Sequence, residues 1–105
     1  MANKFELAEP AKADLKAIWT YIAEFNLNSA DKFLRELAKK FQLLADNPRL
    51  GHLRNNFIVN LRSFPYKDYK IFYFPNENGV EIYRVFHSSM NIENLFEDYF
   101  EGLKP

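Results

Sequence analysis

The chain changes its hydrophobic period once, at Asn47-Pro48, and this change limits the folds that are open to it. Before this point apolar residues recur every three or four positions, which is typical of helices that lie on a core. After it, apolar and aromatic residues gather in short runs separated by turn signals, which predicts strands. We therefore expect the 105 residues to form one α+β domain over residues 1–105.

Two helices are predicted before the change of period. An apolar stripe runs from Ala11 to about Phe25, with Pro10 in the first turn, where its missing N–H costs nothing. A second stripe follows the short polar break "NLNS" and ends before Asn47-Pro48. Because the break is so short, the two helices are expected to pack as an antiparallel hairpin.

Strands are predicted on both sides of the helices. Lys4 to Leu7 is a short strand, and residues 57–87 form a three-stranded antiparallel meander whose first extended part begins at Phe57. The turn "PNENG" separates the last two strands. A C-terminal helix is predicted from the helical spacing of Ile92, Leu95, Phe96 and Tyr99. The order β-α-α-β-β-β-α predicts a helical hairpin packed on one face of a small antiparallel sheet.

The charge balance and the absence of cysteine exclude several classes of protein. Fourteen basic and fourteen acidic residues cancel, so no long-range attraction draws this chain alone to DNA. Without cysteine there are no disulfides or thiolate chemistry, which favours a cytoplasmic protein. No apolar run approaches the roughly 20 residues that span a bilayer, so no membrane association is expected.

The clearest candidates for catalytic residues are Arg62, Arg84 and His87. Arginines on neighbouring strands can hold a phosphate, and a nearby histidine can move a proton, which together would give metal-free RNA cleavage. The alternative is structural: each arginine pairs with a neighbouring carboxylate such as Glu81 or Asp68, and His87 caps the strand. In an unbulged strand Arg84 and His87 point to opposite faces, which speaks against joint action.

The sequence contains no motif for metal-dependent catalysis or for binding a nucleotide phosphate. His52 and His87 are the only histidines, and neither has carboxylates at a spacing typical of a zinc or iron site. With three glycines the chain has no phosphate-binding glycine loop. We therefore expect neither a metal nor a cofactor.

Several stretches together resemble the RelE/ParE superfamily of toxins from type II toxin–antitoxin systems. "LRSFPYKDYKIFYF" and "GVEIYRVFHSS" are similar to its sheet, and "AKADLKAIWTYIAE" and "FQLLADNPRLGHLR" to its helical hairpin and following loop. The resemblance implies the fold described above. It also implies hetero-oligomer formation with a cognate antitoxin encoded beside the toxin, expected to be a ribbon-helix-helix protein.

The superfamily has two branches with different targets. RelE-like members cut mRNA on the ribosome, whereas ParE-like members poison DNA gyrase without known hydrolytic residues. The neutral charge and Ser88 in place of the usual glycine after the histidine favour the ParE-like branch. So do the acidic residues predicted on the last helix, since they would repel RNA. We expect a gyrase inhibitor. The alternatives are an mRNA endonuclease using Arg62, Arg84 and His87, and a non-toxic member that only binds its antitoxin.

The resemblance and the apolar stripes also nominate binding residues. Arg62 is expected on a sheet face without a helix partner, where it would meet antitoxin carboxylates. The predicted antitoxin-binding residues are Trp19, Ile22, Phe33, Leu37, Arg62 and Tyr73. The predicted target-binding residues are Met90, Ile92, Leu95, Phe96 and Tyr99.

Overall fold

The computed structural model describes residues 3–91 and confirms the α+β class, with one strand before the two helices and strands after them. The predicted C-terminal helix, from Ile92 onward, lies outside the described residues. The elements are β1 (Lys4–Leu7), α1 (Glu9–Ala23), α2 (Leu27–Asp46), β2 (His52–Leu53), β3 (Arg62–Tyr66), β4 (Tyr69–Asn76) and β5 (Gly79–His87).

The sheet has the strand order β1-β5-β4-β3-β2. The meander β3-β4-β5 is antiparallel, as predicted. However, β1 pairs with β5 in parallel, from Lys4 opposite Gly79 to Leu7 opposite Ile82, so the sheet is mixed, and the predicted antiparallel pairing holds for β2 to β5. A parallel pair needs a long connection, and α1, α2 and the strands β2 to β4 lie between β1 and β5 in the chain. The residue pattern of a short strand carries no information on the direction of its partner.

The segment before the meander differs from the prediction. Residues 57–60 form turns, and the strand pairing expected there begins at Arg62 instead. Asn60 adopts a left-handed backbone (φ 69°), and its N–H donates to Oδ1 of Asn55 at 2.8 Å. Asparagine tolerates this left-handed conformation, which is incompatible with a continuous extended strand through residue 60. The short strand β2 was missed because two residues carry no readable period.

The helical hairpin is confirmed, with its polar break serving as a cap. The side chain of Asn26 accepts a hydrogen bond from the N–H of Ser29 at 2.9 Å, which satisfies a free amide in the first turn of α2. Trp19 on α1 donates from Nε1 to Oδ1 of Asp31 on α2 at 2.9 Å, joining the two helices. No helix in the described range is long and apolar enough to cross a membrane.

Apolar residues are buried on both faces of the sheet. The main core lies between the helices and the sheet and includes Leu37, Phe41 and Tyr73. A second cluster on the other face joins the loop of residues 54–61 to the strands and consists of Ile58, Leu61, Phe72 and Phe86. Tyr83 is an extra residue in β5, since Tyr73 pairs with Ile82 and Phe72 with Arg84. This bulge re-aims the end of β5.

Candidate partner-binding site

The hydroxyl of Tyr73 fixes the loop that follows α2. Tyr73 is fully buried on the helix-bearing face of the sheet. Its hydroxyl donates to the carbonyl of Pro48 and accepts from the N–H of Gly51, both at 2.8 Å. Burial raises the pKa of this phenol, so it stays a neutral donor. A Cβ on Gly51 would lie 2.7 Å from this hydroxyl, which explains why glycine stands there.

Arg62, the cross-strand neighbour of Tyr73, holds the same loop from its other side. Its Nη1 donates to the carbonyl of Gly51 at 2.7 Å and to that of Arg49 at 3.2 Å. The side chain is half-buried. Because paired residues share a face, Arg62 lies on the helix-bearing face, just past the end of α2. The expected position on a face without helices was wrong.

A cavity of about 340 Å³ opens beside Arg62. We call it the arginine pocket, and its lining residues are Arg49, Leu53, Asn60, Arg62 and Pro75. The lining contains two guanidinium groups and no carboxylate. Within residues 3–91, no carboxylate lies within ion-pair distance of Arg49 or Arg62. The pocket can therefore receive an anionic group.

Arg84 occupies a different environment. Its Nε and Nη2 donate to the two carboxylate oxygens of Asp14 on α1, at 2.7 and 2.9 Å. The same carboxylate accepts the backbone N–H of Val85 at 2.9 Å, where β5 extends past β1. Arg84 also lies over the ring of Phe86, 4.3 Å from its centroid. The predicted ion pair exists, but its acid comes from α1 and is neither Glu81 nor Asp68.

His87 ends β5 and caps the turn that follows, as the structural alternative predicted. The N–H of Ser89 donates to Nδ1 at 3.2 Å, and the hydroxyl of Ser89 lies 2.7 Å from the same nitrogen. The residue is exposed, and its ring lies nearly perpendicular to that of Tyr69 at a centroid distance of 5.3 Å. His87 therefore has a structural role in this turn.

The three residues of the nuclease alternative do not converge. Arg62 pairs with Tyr73 and His87 with Tyr69, so they lie about 13 Å apart along β4. Arg84 pairs with Phe72, whose side chain is in the cluster on the opposite face of the sheet from Tyr73. An arrangement in which both arginines hold one phosphate beside His87 is absent from the described residues.

The helix residues predicted to bind the antitoxin divide into two groups. Leu37 and Phe33 are core residues, 0% and 9% exposed, so their main contacts are internal. Tyr73 is likewise fully buried and positions the loop. Leu37 and Tyr73 have no accessible surface in this structure, so their contact with the antitoxin stays a prediction that the burial does not support. Trp19 and Ile22 are half-buried and keep surface for a partner.

The tip of the hairpin carries an exposed apolar group. Tyr21, Phe25 and Leu27 are 61%, 76% and 60% exposed. The rings of Tyr21 and Phe25 meet edge to face at 5.5 Å. The predicted stripe of the first helix ran to about Phe25, but α1 ends at Ala23 and Phe25 lies beyond it. Such a group is typical of an interaction surface.

Of the predicted target-binding residues, Met90 alone is described. It is 50% exposed and lies on the rim of a second cavity, of about 290 Å³, between α1 and the end of β5. The other predicted target-binding residues, Ile92, Leu95, Phe96 and Tyr99, lie outside the described residues.

Sequence reasoning missed Arg49 and Asp14. Arg49 follows the proline that ends the second helix, and in the sequence this position indicates only a loop. Its role in the candidate site becomes visible only in the fold, where Arg49 and Arg62 line the same pocket. In the sequence, Asp14 looks like an ordinary surface acid of the first helix. Over residues 3–91, the side chains form no cluster of histidine and carboxylates able to hold a metal ion.

The fold and site define a small α+β protein with surfaces for binding partners. The family described as "ParE toxin of type II toxin-antitoxin system, parDE" matches residues 5–92. The chain belongs to this family of toxins, and such a toxin has an antitoxin as its partner.

Named relatives and a solved structure agree with this assignment. The chain is 34% identical over 88 residues to Toxin ParE1 of Caulobacter vibrioides, covering 83% of this chain and 91% of the relative. It is 28% identical over 96 residues to Toxin ParE1 of Mycobacterium tuberculosis, covering 89% and 97%. Its fold resembles a chain of the "Chromosomal ParDE TA system from P. aeruginosa", with a TM-score of 0.67, 17% identity and coverage of 81% and 95%.

Proposed function

We propose that this chain is a single-domain cytoplasmic toxin that inhibits DNA gyrase by binding it, without catalysis. A co-encoded antitoxin of the ribbon-helix-helix class neutralises it in a hetero-oligomer. Membership of the ParE family supports the proposal, since inhibition of gyrase is typical of that family. The neutral net charge agrees with a protein target better than with an RNA target.

The observation that carries the proposal is the contact between Arg84 and Asp14. A nuclease that holds RNA phosphate on this arginine would need its forked donors, and the carboxylate of Asp14 occupies them at 2.7 and 2.9 Å. Displacing that carboxylate would also leave the N–H of Val85 without its acceptor. The arginine pair of the nuclease alternative is therefore better explained as part of the fold and of a binding site.

The target contact is proposed near the end of the chain. Met90 is half exposed on the rim of the cavity beside α1. Beyond it, Ile92, Leu95, Phe96 and Tyr99 supply the apolar side chains that anchor protein interfaces. We expect Phe96→Ser and Tyr99→Ser to weaken inhibition of gyrase while binding of the antitoxin persists. Loss of both functions together would argue against a separate target contact.

The antitoxin contact is proposed on the hairpin and beside the loop after α2. Trp19 and Ile22 keep accessible surface, and the exposed tip residues extend that surface. Arg62 adds a positive group at the other end of α2. An extended antitoxin segment that follows both regions would bury apolar anchors and pair its carboxylates.

Expression of the chain alone in bacterial cells tests the proposed target. Plasmid supercoiling and the integrity of a reporter mRNA are measured in the same culture after induction. The proposal predicts loss of negative supercoiling with intact mRNA, and recovery when the antitoxin is co-expressed. Cleaved mRNA with unchanged supercoiling would favour the nuclease alternative. Neither effect, in a protein that still binds its antitoxin, would favour a non-toxic member.

A further inference from the structure

We propose that the arginine pocket binds a carboxylate side chain of the antitoxin, with Arg49 and Arg62 as its two cationic contacts and apolar antitoxin residues on either side. This inference rests on the antitoxin partner and not on gyrase as the target. It assigns a role to Arg49 and to the lining of the pocket, and it explains why the half-buried Arg62 has no acid partner among residues 3–91.

The first argument is that Arg62 is held in place before any partner arrives. Both of its described hydrogen bonds use Nη1, and both go to backbone carbonyls, those of Arg49 and Gly51. These carbonyls belong to a loop that Tyr73 fixes through its buried hydroxyl. In the described part of the protein, Nε and Nη2 of Arg62 have no acceptor. A guanidinium fixed in this way loses little entropy when it binds an anion.

The second argument is the local charge. Carbonyl oxygens position the guanidinium but do not neutralise it, so Arg62 keeps its full positive charge, and Arg49 adds another. Arg84 shows the contrast, because Asp14 neutralises it from within the fold. The arginine pocket is thus a positive site on a protein whose net charge is zero. Its empty donor positions suit the oxygens of a carboxylate.

The third argument decides between a peptide and a nucleic acid. The pocket has Leu53 and Pro75 in its lining, and Leu53 is 49% exposed. Leu50 and Val59, near it in the chain, are 49% and 71% exposed. Aliphatic side chains beside two cationic groups suit a peptide in which an apolar residue neighbours an acid. A nucleic-acid site would instead need several further cations along a phosphate backbone and aromatic faces for the bases.

Arg49→Glu is the decisive variant, because the side chain of Arg49 makes no described hydrogen bond and its loss should leave the loop intact. Arg35→Glu is the matched control: it reverses the same charge on the exposed face of α2, away from the pocket. Affinity for the full-length co-encoded antitoxin is measured by calorimetry at low and at physiological salt. Thermal melts of both variants verify that each protein is folded.

The proposal predicts that Arg49→Glu weakens antitoxin binding by about tenfold or more, whereas Arg35→Glu changes it by less than about threefold. The loss should be larger at low salt, because screening weakens the wild-type contact most. Equal effects of the two variants, or no loss for Arg49→Glu, would overturn it. So would normal antitoxin binding by Arg49→Glu combined with loss of binding to a single-stranded RNA probe.

A second variant tests the pocket without relying on charge reversal. Leu53→Ser removes an apolar wall of the pocket and should weaken antitoxin binding, and a thermal melt verifies that the variant is folded. No loss with Leu53→Ser would contradict the peptide assignment. If the toxin fails to inhibit gyrase while Arg49→Glu still loses the antitoxin, the proposed target fails and this inference stands.

Discussion

The guanidinium of Arg84 and the carboxylate of Asp14, seventy positions apart in the sequence, form a forked ion pair at 2.7 and 2.9 Å that joins β5 to α1. The two side chains are 24% and 13% exposed. Asp14 also accepts the N–H of Val85, so one carboxylate both neutralises an arginine and completes the edge of a strand. Removing Asp14 takes a forked ion pair from a largely buried arginine, which is costly in a partly desolvated site.

Asp14→Ala is therefore expected to lower the free energy of unfolding by about 3 kcal/mol, since it removes the forked ion pair with Arg84 and the acceptor of the Val85 N–H. Urea denaturation of the purified protein measures this. Lys12→Ala is the control, because it breaks an exposed ion pair with Glu9 and should cost less than about 1 kcal/mol. Similar losses in the two variants would mean that the Arg84 pair is no stronger than a surface contact.

Tyr73→Phe should destabilise the protein by about 1–3 kcal/mol, because it leaves a carbonyl of Pro48 and an N–H of Gly51 without their partner. The same change at Tyr21, whose side chain is exposed, should have little effect on the melting temperature. The expected loss is specific to the loop, so the amide of Gly51 should also exchange faster with deuterium. Unchanged exchange at Gly51 would contradict the role given to this hydroxyl.

The protein should lose stability at alkaline pH through its tyrosines. Burial raises the pKa of Tyr69 above the usual value of 10.0, with smaller contributions from Tyr21 and Asp68. A phenol with a raised pKa stabilises the fold fully below its unfolded value, and that contribution is lost as the pH rises through the folded pKa. Tyr69→Phe should accordingly lose less stability than the wild type between about pH 9 and about pH 11.

Urea denaturation at both pH values, for the wild type and for Tyr69→Phe, gives this comparison. Lysines also titrate in this range, and the difference between the two proteins cancels their common effect. Identical pH dependence would show that Tyr69 is as solvated in the folded chain as in the unfolded one.

The main elements of the fold could be read from the sequence because their signals are local. The stripes of α1 and α2, the proline that stops α2 and the turn before β5 each depend on neighbouring residues. The parallel pairing of β1 with β5 depends on how the chain returns in space, which no local pattern records. The turns of residues 57–60 were misread because apolar residues that cover a sheet resemble those that belong to one.

The candidate site was only partly predictable for a related reason. Arg62 could be recognised as an arginine inside a predicted strand. The sequence did not indicate on which face of the sheet it lies, or that its hydrogen-bond partners belong to the loop after α2. Arg49 carries no signal of its own, and Tyr73 looked like a binding residue because aromatic side chains also dominate interfaces. Burial, which only the fold decides, separates these roles.

His87→Ala should leave inhibition of growth largely intact, because the ring caps a turn through Ser89 and makes no contact with Arg62. Growth after induction, with a thermal melt to verify folding, checks this. If His87→Ala abolished toxicity in a folded protein, proton transfer by the histidine, and with it the nuclease alternative, would become the better explanation.

The most direct test of the account is a titration of purified DNA gyrase with the purified toxin, followed by supercoiling of a relaxed plasmid. The account predicts that supercoiling falls as toxin is added and returns when the antitoxin is supplied in equal amount. A parallel reaction with mRNA and ribosomes should show intact RNA. Full supercoiling at saturating toxin, together with cleavage of the mRNA in the parallel reaction, would contradict it.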